Sequence, residues 1–162
     1  MSGLPPILDP CCGGRMFYFE KRCPYVLHGD IRREKHTLCD GRVYEVEPDM
    51  LMDFKALPFQ NDVFSLVVFD PPHLSNTGPL SWQGKKYGTL DKRDWPEHLK
   101  HGFRECWRVL RPLGTLIFKW NETQIPLQRV LQCFSQKPIF GHTTTANLKT
   151  HWMVFFKSGE VA

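Results

Sequence analysis

The sequence predicts an α/β fold built on a mostly parallel sheet, and three patterns carry that prediction. Short apolar runs of strand length recur along the chain, such as Phe64 to Phe69, which stops at Asp70. Apolar residues at helical spacing begin at Leu99 and again at Leu127. Strands that alternate with helices are typical of a parallel sheet. A short connection between the last two strands predicts an antiparallel hairpin at one edge.

Local signals give the element bounds. The predicted strands are 6–8, 25–28, 50–52, 64–69, 115–118, 138–142 and 151–157, with a small hairpin around 43–46 that turns at Asp40-Gly41. One helix is expected to start at Asp94, capped by that side chain with Glu97 completing a capping box, and to end at Pro112 and Gly114. The second helix should cover 127–134. The polar segment 73–93 is predicted to be a long loop, which in a compact domain is functional or mobile.

Composition sets the class of protein. A chain of 162 residues with 41% hydrophobic and 23% charged residues fits one globular domain with its own core. No apolar stretch is long enough to cross a bilayer, and the start shows no basic segment followed by an apolar one. We therefore expect a cytoplasmic protein with no membrane partner.

Cysteine and histidine spacing argues against a metal site. None of the six cysteines forms a C-x-x-C pair. His98 and His101 lie three residues apart on a predicted helix, but no third ligand accompanies them. We expect reduced thiols and no bound metal.

The charge is concentrated in one region. Between Lys85 and Arg111 there are eight Lys and Arg residues against four Asp and Glu, which matches the +4 net charge of the whole chain. A basic zone of this kind would attract a polyanion such as nucleic acid. An ordinary solvated helix face gives the same pattern, so both interpretations stay open.

Four carboxylates close four predicted strands: Asp9, Asp30, Asp53 and Asp70. Ligands of parallel sheets bind outside the carboxyl ends of the strands, and an Asp after the second strand can hold the hydroxyls of a ribose. Any single Asp at a strand end is more often a turn residue. The Gly13-Gly14 turn allows close approach to a ligand, yet neither G-x-G-x-x-G nor G-K-[ST] is present. The pattern predicts a nucleoside-like ligand without a phosphate cradle.

Asp70-Pro71-Pro72-His73 is the segment most informative about chemistry. Two prolines remove two backbone donors and fix φ, so nearby carbonyls are presented as acceptors beside the carboxylate. Acceptors next to a flat imidazole suit a planar group that carries an NH2. The alternative for His73 is a hydrogen-bonded structural histidine.

At this point the chain resembles a known family, the class I S-adenosylmethionine-dependent methyltransferases, whose fold is Rossmann-like. More narrowly, it is similar to small bacterial and phage-borne proteins with Asp-Pro-Pro-His, related to the amino methyltransferases of nucleic acids. The resemblance runs from Ile7 to Lys157 and rests on Asp9-Pro10-Cys11-Cys12-Gly13, Gly29-Asp30-Ile31-Arg32, Asp53-Phe54 with Leu57-Pro58-Phe59, Asp70-Pro71-Pro72-His73 and the stretch from Cys106 to Leu116.

The resemblance implies a role for each motif. The cofactor would be S-adenosyl-L-methionine, with its methionine part at Asp9, Pro10, Cys11, Cys12 and Gly13, its ribose at Asp30 beside Ile31, and its adenine at Asp53 and Phe54. Asp70, Pro71, Pro72 and His73 would hold the target amino group, with Asp70 also next to the cofactor. The implied acceptor is an exocyclic amino group, with adenine in DNA favoured and RNA or a small molecule as alternatives.

Other residues are candidates for contact with the substrate. Stacking on the base could be shared between His73 and either Trp82 or Tyr87, and Lys85 and Lys86 open the basic zone. Trp120 and Asn121 follow the fifth strand of the predicted sheet at its ligand-binding edge, where a plain connecting loop is as plausible.

The chain also departs from the family pattern. Arg15 stands where a second glycine is usual in the first loop, and His73 replaces a larger aromatic residue. We expect a single domain over residues 1–162, without a separate target-recognition domain. A second copy or another chain could then cover its open side. These departures leave a second hypothesis, a cofactor-binding protein with little catalysis.

Overall fold

The computed structural model describes residues 3–37, 40–78, 81–142 and 148–159. The elements in chain order are β1 (Ile7–Asp9), β2 (Val26–Asp30), β3 (Glu34–Thr37), β4 (Val43–Val46), β5 (Met50–Leu51), β6 (Phe64–Phe69), α1 (Trp82–Tyr87), α2 (Trp95–Val109), β7 (Leu110–Asn121), α3 (Leu127–Leu131), β8 (Phe140–Gly141) and β9 (Thr150–Phe156).

Seven strands form one sheet in the order β5-β2-β1-β6-β7-β9-β8. The β5, β2, β1, β6 and β7 strands are parallel, and β9 is antiparallel to both β7 and β8. This confirms the Rossmann-like, mostly parallel sheet with an antiparallel hairpin at one edge. The strand order reverses beside β1, and crevices at such a reversal are where open parallel sheets bind ligands.

The core lies on one face of the sheet. Leu8, Phe69 and Phe118 point to this face and pack against Leu99 and Phe103 of α2, all of them almost fully buried. The inner face of α2 was expected from its spacing, and burial of these side chains is the main source of stability. The opposite face of the sheet carries half-buried Ile7, Leu66, Ile117 and Val154.

The β1–β2 connection, residues 10–25, is a series of turns. It covers the opposite face only near the carboxyl edge of the sheet, where the Phe17 ring meets Trp152 and the Tyr18 ring meets His28. Between β2 and β5 the chain forms the separate β3–β4 hairpin. The hairpin expected around 43–46 is therefore confirmed, although Leu38 and Cys39, just before its Asp40-Gly41 turn, lie outside the described residues.

Several predicted bounds were wrong for local reasons. The α2 helix ends at Val109, because Leu110 adopts an extended conformation and starts a twelve-residue β7 rather than the short strand expected from Thr115. Asp94 makes no side-chain capping bond. Asp91 instead closes the turn before the helix, since its Oδ1 accepts the amides of Arg93 and Asp94.

The segment 73–93 is not a plain loop. It contains α1, a six-residue helix. The Ser81 hydroxyl caps its first turn by accepting the Gly84 amide, and Gly88, with φ of 73°, follows its last residue as the C-cap. The α3 helix is shorter than predicted and stops at Leu131, after which the chain reaches buried Phe134 through turns.

Five cysteines lie in the described residues, and all are free thiols. In the part of the chain that the structure describes, no helix is long and apolar enough to span a membrane. The same residues contain no group of three His, Cys, Asp or Glu side chains placed to hold a metal ion.

Candidate active site

The carboxyl edge of the sheet opens into three neighbouring cavities. The main cavity, so called for its position and of about 500 Å³, lies over β1, β2 and β6 beneath α1. A larger cavity of about 740 Å³ lies on the other side of the first loop, against β4, and Asp70 does not line it. The side cavity, of about 240 Å³, lies over β6 and β7. The narrow cavity, of about 60 Å³, runs from the first loop (residues 10–15) to the same region. Asp70 and Tyr87 line all three, so they mark the point where the cavities meet.

Most of the predicted cofactor residues surround the main and narrow cavities. Phe54 and Pro72 form apolar parts of the main cavity, whereas Lys85 lies on its α1 side. Residues that line the main cavity include Pro10, Cys11, Asp30, Ile31 and Asp70; those that line the narrow cavity include Cys11, Cys12, Gly13, Asp70, Pro71, His73 and Lys86. The sheet edge therefore brings together residues of all four strand-end motifs, although Asp30 and Asp70 are the two of the four carboxylates that line these cavities.

The Asp30 carboxylate is already heavily hydrogen-bonded. Its Oδ1 accepts from the Arg32 amide at 3.0 Å and from Arg32 Nε at 3.2 Å, and its Oδ2 accepts the Gly13 amide at 3.0 Å. Gly13 has φ of 48°, a conformation that favours glycine. A ribose that bonds to Asp30 would therefore have to share this carboxylate with Arg32.

Asp9 lies beneath the cavities rather than on their walls. It is fully buried, and it accepts the Cys11 amide at Oδ1 (3.1 Å) and the Tyr18 hydroxyl at Oδ2 (2.9 Å). Burial raises the pKa of Asp9 to about 7, with smaller contributions from the negative charges of Asp70 and Asp30. The position suits a residue that shapes the first loop.

Asp53 is absent from the residues that line the three cavities. Its Oδ1 accepts the Lys55 amide at 2.9 Å and its Oδ2 lies 3.6 Å from Lys55 Nζ. Its neighbour Phe54 does line the main cavity. A role for Asp53 at an adenine stays a prediction.

Arg15 occupies the position in the first loop where the resemblance leads one to expect a second glycine. It adopts φ of 54°, the left-handed region where glycine is favoured. Its guanidinium donates to the carbonyls of Lys21 (2.7 Å) and Glu47 (2.8 Å) and to Asp49 Oδ1 (2.8 Å). These bonds hold Arg15 away from the three cavities, so the substitution leaves them open.

The Asp70 carboxylate is half-buried and paired. Lys119 Nζ donates to Asp70 Oδ2 at 2.7 Å. Burial raises the pKa of Asp70, and the positive charge of Lys119 opposes that rise. Lys119 was missed in the sequence, although the strand alternation that buries Phe118 and Trp120 would turn the residue between them to the other face.

His73 lines the side cavity next to Tyr87, with ring centroids 5.2 Å apart. Burial is the main cause that lowers the pKa of His73 to about 4, and the positive charge of Lys119 is the second cause. The imidazole is therefore neutral at physiological pH. A neutral ring beside a phenol offers apolar surface with hydrogen-bonding capacity, which suits a planar heterocycle.

The residues predicted to contact substrate divide into two groups. Asn121 lines the side cavity and donates from Nδ2 to Thr150 Oγ1 at 3.1 Å. Trp120 does not reach a cavity: it is fully buried on the core face and its Nε1 donates to the Ile125 carbonyl, so that prediction was wrong. Trp82 is 37% exposed and packs edge-on against Tyr44 rather than lining a cavity.

Some of the basic side chains between Lys85 and Arg111 are already paired within the protein. Arg108 is bonded to Glu105 and to the Leu57 and Phe59 carbonyls, and Lys100 pairs with Glu97, as expected of an ordinary helix face. Lys85 and Lys86 stand apart because they border the main and narrow cavities.

Comparison with known proteins supports the fold. No protein-family description and no curated protein matches the chain. Among solved structures, the PH0226 protein from Pyrococcus horikoshii OT3 is similar with a TM-score of 0.54 at 16% identity, over 94% of this chain and 81% of that chain. That likeness shows a shared fold.

Two further structures match with lower scores. They are a TehB-like SAM-dependent methyltransferase from Corynebacterium glutamicum ATCC 13032 Kitasato (TM-score 0.47, 11% identity, 98% of this chain and 83% of that chain) and the antibiotic-resistance methyltransferase Kmr (TM-score 0.45, 10% identity, 93% and 86%). At such values the similarity bears on neither substrate nor residue roles.

Proposed function

We propose that the protein is an S-adenosylmethionine-dependent methyltransferase that acts on an exocyclic amino group, with adenine in DNA as the favoured acceptor. The observation that carries the proposal is the position of Asp70, at the junction between the main cavity and the side cavity. A methyl donor on one side of this carboxylate and an amine on the other would meet beside it.

The main cavity fits the cofactor in size and chemistry. Its volume of about 500 Å³ lies within the range of small-molecule sites. Asp30 lies where a ribose is expected, while Phe54 and Ile31 offer apolar surface to an adenine. The narrow cavity beside Gly13 and Cys12 would take the methionine part. When bound, S-adenosylmethionine supplies an electrophilic methyl group on a sulfonium.

The side cavity fits a planar amine. The Oδ1 atom of Asp70 and a carbonyl of the Pro71-Pro72 segment would each accept a hydrogen bond from the amino group. These two bonds would turn the nitrogen lone pair toward the methyl donor. Catalysis would come mainly from orientation and from fixed acceptors around a developing positive charge. A base within a duplex would have to be flipped out, at a cost of a few kcal/mol.

A nucleic acid is favoured as acceptor because Lys85 and Lys86 border the cavities. RNA or a free small molecule would use the same side cavity. The second hypothesis, cofactor binding with little catalysis, draws support from the two ion pairs at the site, Asp30 with Arg32 and Asp70 with Lys119. Both acceptor groups are partly engaged before any ligand arrives.

The test separates the roles of the two carboxylates. Transfer of a labelled methyl group to DNA, RNA and nucleosides would be measured beside calorimetric affinity for S-adenosylmethionine. We expect Asp70→Asn to lower transfer by about 100-fold or more while cofactor affinity stays within about threefold, in the range that removal of one catalytic hydrogen-bonding group costs. Asp30→Asn should instead weaken cofactor binding.

Asp94→Asn is the matched control, because this exposed carboxylate makes no side-chain capping bond. Cofactor binding without transfer to any acceptor would favour the second hypothesis. Equal loss of binding in Asp70→Asn and Asp30→Asn would place both residues in the cofactor site.

A further inference from the structure

Lys119 reaches Asp70 through strand pairing. Phe69 of β6 lies opposite Phe118 of β7, so the next residue of each strand meets at the carboxyl edge of the sheet. The two side chains are only 23% and 20% exposed. Taking both charges out of water is costly, and a hydrophobic pair would often be as stable. The pair therefore calls for a reason beyond stability.

The ammonium is held in place from two other sides. Lys119 Nζ lies 5.1 Å from the ring centroid of Phe17 in the β1–β2 connection and 5.6 Å from that of Trp152 on β9. Aromatic faces attract a desolvated cation. Among the described hydrogen bonds, Lys119 donates from its side chain to Asp70 alone. The cation is thus fixed by three separate elements, with the carboxylate as its one anionic partner.

The arrangement leaves one oxygen of Asp70 available. Oδ2 accepts from Lys119, and no described donor reaches Oδ1. The titratable and charged groups nearest the carboxylate are Asp9 on β1, Cys11 in the first loop, Tyr18 in the β1–β2 connection, His73 after β6, Lys119 on β7, and Arg32, Tyr44, Lys86 and Tyr87 across the narrow cavity. Across the main cavity, which Asp70 also lines, lie Asp30, Glu34, His36 and Lys85.

Of the cations in that set, Lys119 is the one in hydrogen-bond contact with Asp70. Arg32 is committed to Asp30, and Lys86 lies over the Tyr87 ring at 5.0 Å. Burial favours a proton on Asp70 by raising its pKa, and the charge and hydrogen bond of Lys119 oppose that rise. A protonated Asp70 would offer a donor where the reaction needs an acceptor.

We propose that Lys119 is a positioning residue that keeps Asp70 ionised and directs its free Oδ1 atom to the side cavity. The inference rests on the proposed function and deepens it. It assigns the Phe17–Trp152 pair a role as well, since the two rings stabilise the cation while leaving it no competing carboxylate.

The first experiment is a pH profile of methyl transfer. In Lys119→Met, the acid limb of the profile should move up by about one pH unit or more, which lowers the ionised fraction at the pH of the original midpoint by roughly fivefold or more. Lys119→Arg, which retains a cation, should keep the limb near its original position. Lys100→Met, which removes an exposed lysine paired with Glu97, is the control. Cofactor affinity, measured in parallel, should be unchanged in Lys100→Met and in Lys119→Arg, which keeps the cation that lines the narrow cavity.

A second measurement does not depend on activity. The carboxyl carbon of Asp70 can be followed by NMR in protein labelled at aspartate, with Asp70→Asn to assign the resonance. We expect Asp70 to titrate at higher pH in Lys119→Met and in Lys119→Gln than in the unmodified protein. A shift without methyl transfer to any acceptor would support the inference while the proposed function fails. An unmoved titration, or a loss of transfer equal at every pH, would overturn it.

Discussion

Asp9 shows how burial at the sheet edge couples one residue to pH. Its pKa is raised from 3.8 to about 7, chiefly by burial. The folded protein therefore keeps a proton that the unfolded chain releases near pH 4. Stability from this group is present below pH 4 and is lost as the pH rises to about 7.

This sign gives a prediction at the scale of the residue. The unmodified protein should lose a few kcal/mol of unfolding free energy relative to Asp9→Asn between pH 4 and pH 8. Each tenfold difference in proton affinity between the folded and unfolded states is worth about 1.4 kcal/mol. Urea unfolding at a series of pH values measures it. Asp94→Asn supplies the background of an exposed carboxylate, and a difference that stays constant over this range would contradict the prediction.

At the scale of the element, α1 depends on contacts from outside itself. None of its residues is buried. The Tyr44 hydroxyl donates to the Lys86 carbonyl at 2.6 Å and accepts the Gly14 amide at 3.1 Å, and Arg32 Nη1 donates to the Lys85 carbonyl at 2.9 Å. A helix this short is marginal without tertiary contacts. These bonds hold α1 over the main cavity.

We therefore expect Tyr44→Phe to loosen α1 without unfolding the sheet. Loss of this hydroxyl should cost about 1–2 kcal/mol locally, and amide hydrogen exchange in residues 82–87 should speed up by roughly tenfold, with α2 unchanged. Tyr25→Phe is the control, because Tyr25 is 65% exposed. Equal exchange in both variants would show that Tyr44 does not anchor the helix.

At the scale of the whole molecule, the second face of the sheet is apolar and poorly covered. Phe140 is 63% exposed and Phe156 is 44% exposed, and both share this face with half-buried Ile117 and Val154. Large exposed apolar patches mark interaction sites. In an isologous dimer the same patch of both copies is in contact, and an uncharged patch can pair with itself without bringing like charges together. A homo-oligomer through this face stays a prediction.

Sedimentation velocity tests it. We expect association that depends on concentration in the unmodified protein and a monomer in Phe140→Glu, because a buried unpaired carboxylate would cost several kcal/mol at such an interface. Leu51→Glu, at the opposite edge of the sheet and 53% exposed, is the control. A monomer at all concentrations in the unmodified protein would exclude the interface.

The sequence alone determined the elements whose signals are local. Apolar runs that end at Asp30 and Asp70 gave β2 and β6 within two residues, and the periodicity from Leu99 gave the buried face of α2. The site residues that these strands carry, Asp30 and Asp70, do line the main cavity. A strand end is set by the residues next to it, so it can be predicted from them.

Tertiary structure decided what depends on distant partners. Lys119 meets Asp70 only because β6 and β7 are paired in register, forty-nine residues apart. Trp120 is removed from the site because the alternation along β7 turns it into the core, and α1 forms where Tyr44 and Arg32 hold it. Such contacts join segments far apart in the chain, and their energies are absent from any local pattern.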